Sequence, residues 1–292
     1  MISVIILTKN ESANLPTCLF SLKKLQAKVY IVDSGSVDDT VAIAREFGCE
    51  VYEHPFKNYA EQLNWAITNL PIDTPWVMRL DADERLTPEL VTEINTKLPK
   101  TSQKVSGYQL KRRVYFLGRW IKHGGYYPTW LLRIWRNGLG LCEQRWMDEH
   151  IVLSEGEILS LQYDIIDENK KGLTFWTDKH NHYADREVKD MLSQDGNGDP
   201  LLEKQSYSQA RQRRWLKKNL YGSSPLFFRA FIYFLLRYIF GLGFLDGKQG
   251  LIFHFLQGFW YRFLVDAKIY EFQKQQLTDM QANKAKKIKT QV

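Results

Sequence analysis

Cysteine is scarce in this chain of 292 residues, with three in all. Cys18, Cys49 and Cys142 share neither a metal-ligand nor a disulfide-framework spacing, which argues against a stapled scaffold and for a reducing, cytosolic setting. Neither G-x-G-x-x-G nor G-x-x-x-x-G-K-[ST] follows the first apolar run, which argues against a classical dinucleotide site or a P-loop. That run begins at Ile2 and leaves no room for the charged and apolar regions of a signal peptide. There is no internal repeat and no long low-complexity segment. Long uninterrupted apolar runs are missing too. Arg229 and Arg237 break the stretch Pro225–Leu245, and each charge near a bilayer centre costs about 3 kcal/mol on an insertion scale.

What is present is an apolar strand that runs into an acidic pair, Trp76-Val77-Met78-Arg79-Leu80-Asp81-Ala82-Asp83-Glu84. Side chains alternate along an extended chain, so a strand continuing through residue 83 puts Asp81 and Asp83 on one side at its exposed end. Two hard carboxylates so placed suit one Mg²⁺ or Mn²⁺ and leave coordination sites for a diphosphate. The competing structural reading is a solvated acidic turn ahead of a helix opened by Pro88. Upstream, the apolar runs Ile2–Leu7, Lys28–Val32 and Glu50–Tyr52 are each followed by a polar turn and a helical stretch. That alternation predicts a mostly parallel sheet flanked by helices, with ligands at the carboxyl ends of the strands. Thr8-Lys9-Asn10-Glu11, the stretch Asp33–Thr40 and Asp81-Ala82-Asp83 then fall on one edge of one sheet.

Three motifs, in this order, resemble family 2 glycosyltransferases of the GT-A fold over about residues 1–155: Val4-Ile5-Ile6-Leu7-Thr8-Lys9-Asn10-Glu11, Val32-Asp33-Ser34-Gly35-Ser36-Val37-Asp38-Asp39-Thr40, and Leu80-Asp81-Ala82-Asp83-Glu84. The resemblance implies an α/β, GT-A-type domain that transfers a sugar, with inversion, from a nucleotide diphosphate sugar, a UDP-sugar foremost, with Mg²⁺ or Mn²⁺ as cofactor. It implies that Thr8, Asn10 and Glu11 flank the nucleotide, that Asp33 receives the base, and that Asp81 and Asp83 serve the ribose and the metal diphosphate. Gln62 and Asn64 match a helix that lines the nucleotide pocket; their structural reading is the polar face of an amphipathic helix. More loosely, residues 105–270 resemble bacterial enzymes that build lipopolysaccharide core or lipid-linked exopolysaccharide.

Charge and aromatics concentrate late in the chain. Residues 200–292 hold 16 Lys or Arg against 5 Asp or Glu, although the whole chain carries only +7, so the first 199 residues are net negative. A basic third attached to an acidic catalytic part suggests an anionic partner. Residues 221–264 hold 15 of the 40 Phe, Tyr and Trp. These aromatics lie in apolar runs rather than interleaved with bases, which favours a membrane surface over nucleic acid. Pro225–Leu245 and Leu251–Val265 read as two interfacial helices, with Arg229 and Arg237 on one polar face and Arg211, Arg213, Arg214, Lys217 and Lys218 against anionic lipid. The alternative is a helix pair that closes a protein core.

Between these parts lies the segment expected to bind and activate the acceptor. Transfer needs a base near the attacking hydroxyl. Trp146-Met147-Asp148-Glu149-His150 offers two carboxylates and an imidazole. The family resemblance places an acidic base here, in a Glu-Asp or His-Glu pair; this sequence departs from both spellings, and Asp148 and Glu149 both stand as candidates. His150 is either a metal or diphosphate contact or a structural histidine. Leu117–Pro128, with His123, Tyr126 and Tyr127, is rich in glycine and aromatics and is expected to fold over a sugar. Arg133 and Arg136 are candidates for phosphate contacts, because guanidinium forks match phosphate oxygens.

The expected organisation is a catalytic domain at 1–155, a helical acceptor-side region at 156–220, membrane-associated helices at 221–282 and a basic tail at 283–292. The expected activity is transfer to a lipid-linked or lipopolysaccharide-type acceptor at the cytoplasmic face of the inner membrane, peripherally or monotopically. Two alternatives compete with it. A catalytically idle nucleotide-sugar-binding subunit needs the first two motifs but not the base. A sugar nucleotidyltransferase needs a Gly-rich loop with Arg and Lys after the first strand, which is missing.

Overall fold

The computed structural model describes residues 1–144, 149–192 and 224–290, with the side chains of Asp190 and of residues 279–290 outside the description. Asp148 and the 211–218 basic cluster therefore lie outside the described residues, as do the side chains of the expected basic tail.

The first part alternates strand and helix: β1 (Ile2–Thr8), α1 (Leu15–Leu22), β2 (Ala27–Asp33), α2 (Thr40–Glu46), β3 (Glu50–Glu53), α3 (Tyr59–Asn69) and β4 (Trp76–Arg79). These four strands are parallel, in the order β3-β2-β1-β4. β1 is buried on both faces: Val4 and Ile6 enter one apolar cluster and Ile5 the other, as a central strand covered by helices requires. Local chemistry starts the helices. Asn58 caps α3 by accepting from Glu61 N at 2.8 Å, and Thr87 caps α4 (Pro88–Lys97), where Pro88 needs no donor.

The sheet continues through β8 (Thr129–Arg136), antiparallel to β4, then β6 (Val105–Phe116), β11 (Glu157–Asp167) and β5 (Glu84–Leu86), with β7 (Arg119–Ile121) on β6. β6 and β11 are parallel, and the other pairings in this half are antiparallel. The result is one nine-stranded sheet flanked by helices. A separate ribbon pairs β9 (Gly140–Cys142) with β10 (Ile151–Leu153). Two boundaries differ from expectation. The strand ends at Arg79 rather than running through Asp83, because Glu84 N bonds back to Asp81 O at 2.9 Å and closes a turn. The sheet also runs past residue 155, since β11 inserts between β6 and β5.

Helices complete the chain: α5 (Gly172–Leu192), α6 (Phe228–Leu235) with a π-helical continuation at Leu236–Phe240, α7 (Gly247–Phe253) with another at His254–Trp260, and α8 (Tyr261–Thr290). α8 packs on α5 through Tyr261, Val265, Ile269, Ala184 and Val188. Among the described residues no single helix is long and apolar enough to cross a membrane. Phe228–Phe240 and Gly243–Thr278, bent by 70°, pass that test only as a pair.

The arginines of this pair turn inward instead of sharing a solvated face. Arg229 is buried against Asp266 at 2.5 Å, while Arg237 donates to Gly124 O at 2.6 Å and lies 3.9 Å from the Tyr126 ring centroid. The 117–128 loop is thus a socket for the helical pair. Gly124 N donates to Gly241 O at 2.8 Å, and His123 meets Asp246 at 2.6 Å. Gly124 has φ +67° and lies so close to the His254 ring that a Cβ there would fall 2.2 Å from it, so only glycine fits.

His254 is fully buried, and among the described residues neither ring nitrogen has a hydrogen-bond partner, with the Asp246 carboxylate 3.9 Å from Nε2. Burial, reinforced by Arg237, pushes its imidazole down to about 4. An unfolded imidazole protonates near 6.5. The folded state therefore binds fewer protons between these values, so the stability contribution is complete above 6.5 and is lost as pH falls through about 4. The thermal midpoint should drop between about pH 7 and about pH 5, and His254→Asn should show a smaller drop. Equal drops in both proteins would remove His254 from this role.

Candidate functional site

All three polar clusters reach the carboxyl edge of the parallel strands. There a cavity of about 500 Å³ is lined by Thr8 and Glu11 after β1, Ser34 after β2, Gln62 on α3, and Asp81 and Asp83 after β4. Glu149, His150 and Arg133 line it as well. Its size suits a small ligand, for which pockets run roughly 300–1,000 Å³.

Around the acidic pair, the two aspartates have different surroundings. Asp81 accepts from Tyr59 Oη at 2.7 Å, from Arg79 Nε at 3.4 Å and from Arg133 Nη2 at 3.1 Å. Burial opposes ionisation of Asp81, but Arg79 and Arg133 together outweigh it and hold the carboxyl well below the usual range. Arg133 also donates to Glu84 Oε1 at 2.5 Å. Burial pushes the Glu84 carboxyl up to about 8 against that pairing, with Asp81 and Asp167 adding to the rise. Asp83 accepts from Asn169 at Oδ2, 3.0 Å away, and no donor among the described residues reaches its Oδ1. Among the described residues no group of three His, Cys, Asp or Glu is placed to hold a metal. The donor set still fits a hard cation completed by ligand oxygens, with Asp83 as its principal protein ligand. Both Asp81 oxygens already serve cationic or phenolic donors.

The remaining expected residues separate into those that line the cavity and those that build it. Glu11 is paired with Lys171 at 2.6 Å, and burial raises its carboxyl against that contact. Gln62 donates to Ser34 Oγ at 2.6 Å and orients the second turn. Asp33 accepts from Thr8 Oγ1, Gly35 N, Ser36 N and Ser36 Oγ and is 1% exposed, so it shapes the turn from beneath. Asn10, at φ 54°, accepts from Val37 N. Asn64 exchanges two hydrogen bonds with Cys142, each 2.8 Å, and pins β9 rather than lining the cavity. Arg136 caps three backbone carbonyls and stacks on Trp76, away from the cavity. Of the two base candidates, only Glu149 lies within the described residues.

The sequence gives no site role to Tyr59, Arg79 or Arg112, which line this cavity together with Lys179 and Arg186. Arg79 carried a signal. It interrupts an apolar strand two residues before Asp81 and has the same parity as both aspartates. Lys179 and Arg186 come from α5, and nothing local in the sequence ties them to the sheet edge.

The model of glycosyl transferase family 2 matches residues 3–146, the span that carries the sheet edge and the acidic pair. Residues 3–146 belong to glycosyl transferase family 2. An uncharacterized glycosyltransferase of Rickettsia prowazekii is 37% identical over 40% of this chain and 40% of its own length. The chain therefore spans well under half the length of such relatives. The lipopolysaccharide core biosynthesis glycosyltransferase LpsC of Rhizobium meliloti is 28% identical over 92% of each chain, so its likeness takes in the C-terminal helices as well as the family 2 domain. Among solved structures, S. aureus TarS 1-349 overlaps 92% of this chain and 91% of its own, at TM-score 0.45 and 13% identity. Glucosyl-3-phosphoglycerate synthase of Mycobacterium tuberculosis, solved with Mn²⁺ and UDP, overlaps 39% of this chain and 44% of its own, at TM-score 0.32 and 22% identity.

Proposed function

We propose that the protein is an inverting glycosyltransferase that moves a sugar from a nucleotide diphosphate sugar, a UDP-sugar foremost, to a lipid-linked or lipopolysaccharide-type acceptor. The observation that carries this is one cavity lined together by residues of the β1 and β2 turns, by Asp81 and Asp83, and by Glu149. The turns receive the nucleoside. Lys9, Lys179 and Arg186 line the same cavity and balance phosphate charge. Mg²⁺ or Mn²⁺, held by Asp83 with Asp81 behind it, supplies further positive charge to the leaving diphosphate when bound. On the acceptor side, Glu149 or Asp148 takes the proton from the attacking hydroxyl. The hydroxyl oxygen then bonds to the anomeric carbon from the face opposite the diphosphate, and the electrons of the broken C–O bond leave with that diphosphate.

Metal-dependent binding of a panel of nucleotide sugars tests the donor half. A charge-assisted contact is worth about 1.5–3 kcal/mol, so Asp83→Asn should weaken such binding about ten- to hundredfold in Mg²⁺ or Mn²⁺. Turnover that persists in excess EDTA would remove the metal from the reaction.

We also place the protein on the cytoplasmic face of the inner membrane. With Arg229 and Arg237 turned inward, the outer face of the helical pair is apolar. Phe240 is 75% exposed, Phe228 61% and Leu236 54%, with Leu242, Phe244, Leu245, Leu251 and Phe255 beside them in sequence. An apolar patch on this scale suits an interfacial helical pair. The protein should bind anionic vesicles more tightly than neutral ones, and salt should weaken the difference without abolishing binding. Replacing Arg211, Arg213 and Arg214 with Gln should remove only the salt-sensitive part. Full-length protein that ignores vesicles of every composition without detergent would assign this face to protein contacts.

A further inference from the structure

A second cavity, of about 410 Å³, lies against the first and shares Asp81, Asp83, Arg112, Lys179 and Tyr183 with it. Its far walls come from β6, α5 and the C-terminal helices, among them Phe116, Trp176, Phe253, Gln257 and Tyr261. A group transfer needs two substrates meeting at one point, and the acidic turn is where these two spaces meet.

We propose that the second cavity is an acceptor chamber that takes the uncharged pyranose end of a glycolipid while its lipid part stays in the bilayer; the proposal rests on the glycosyltransferase reading above. Three observations carry it. First, its walls combine aromatic and polar side chains. Trp176 stacks on His180 at 3.5 Å between centroids and meets the edge of Phe116, while Gln257 and Glu187 line the same space. Aromatic surfaces suit the C–H faces of a pyranose, and amide and carboxylate groups suit its hydroxyls.

Second, the charges are matched. Arg112 lies 3.2 Å from Asp167, and Arg262 lies 2.7 Å from Glu187, which also accepts from Tyr261 at 2.6 Å. Lys179 is held protonated, against its burial, by Tyr183, Asp83 and Asp167. His180 is neutral, because burial pushes it down to about 4. The lining holds three cations, Arg112, Lys179 and Arg262, against the carboxylates of Asp81, Asp83, Asp167 and Glu187, so no cation is in surplus and the chamber favours a neutral sugar over a phosphorylated or acidic one.

Third, one continuous stretch of helix serves both spaces. Phe253, Gln257 and Tyr261 line the chamber, whereas Leu251, Ile252, Phe255 and Phe263 on the same stretch are exposed. The wall of the chamber is thus the inner side of the surface assigned to lipid, and a glycolipid has only the thickness of that helix to bridge.

Saturation-transfer NMR on the full-length protein in detergent, with UDP present, tests the chamber with methyl glucopyranoside and glucose 6-phosphate as probes. The neutral glycoside should receive saturation and the phosphate should not. Gln257→Trp, which fills the chamber, should lose the glycoside signal while UDP signals persist. Leu173→Trp, from the α5 wall, should do the same and replaces it if Gln257→Trp does not fold. An undiminished glycoside signal in a folded variant, or preference for the phosphate, overturns the proposal. Absence of any UDP signal in the unaltered protein would instead overturn the donor reading, and a glycoside signal lost in Gln257→Trp would still support the chamber.

Discussion

Glu149→Gln or Asp148→Asn is expected to lower kcat by about 10²–10⁴ while nucleotide affinity stays nearly constant. A base acts only once the acceptor hydroxyl is in place, so its loss appears in turnover and not in binding of the first substrate. Glu149 lines the donor cavity alongside His150, whose ring meets Glu143 at 3.1 Å, so the local chain is tied down next to the carboxylate. Steady-state rates and UDP titration on both variants separate the two positions. Near-normal rates in both would move the base elsewhere and revive the idle nucleotide-sugar-binding subunit as the better account.

The second large effect is on the fold. Arg133 and Glu84 are almost wholly buried, with side chains 3% and 1% exposed, and they meet at 2.5 Å. Removing Arg133 takes a buried donor from Glu84 and a cationic partner from the ionised Asp81, and loss of one partner in such a buried pair costs about 3–5 kcal/mol. Arg133→Met should therefore lower unfolding stability by about that amount, read from the denaturant midpoint. The double variant Arg133→Met with Glu84→Leu should recover only the part of the loss that belongs to Glu84, because Asp81 still lacks its Arg133 donor. A single variant within about 1 kcal/mol of the unaltered protein would show that water or rearrangement satisfies Glu84.

How much of this was legible in the residues follows from how local each signal is. β1, β2 and β4 announce themselves as apolar runs ending in polar clusters, because both faces of a central parallel strand are buried. Their ends line the first cavity, so the placing of Thr8, Glu11, Asp81 and Asp83 at one sheet edge is readable. Asn64 is expected at a ligand from the family resemblance and Arg136 from its guanidinium, but their partners, the Cys142 backbone and the carbonyls at 101, 102 and 105, are contacts of the folded chain. β5 and β11 gave no clear signal. A three-residue strand exists only through its register with a partner some 80 residues away, Leu86 opposite Ile165. Arg229 and Arg237 read as a solvated face because helical periodicity gives only relative angle. Asp266 and Gly124, which turn them inward, lie elsewhere in the chain.

That late strand also bears on the order in which the molecule assembles. β11 closes the gap between β6 and β5, and just beyond it Glu168 N donates to Asp83 O at 2.9 Å. The acidic turn is made early on the ribosome but cannot acquire its final backbone contact until residue 168 has emerged. Until then β6 and β5 each present an unpaired strand edge, the kind of surface that recruits other chains. The rate at which residues 84–167 close this loop, more than the early parallel strands, should set how quickly the nascent protein escapes aggregation.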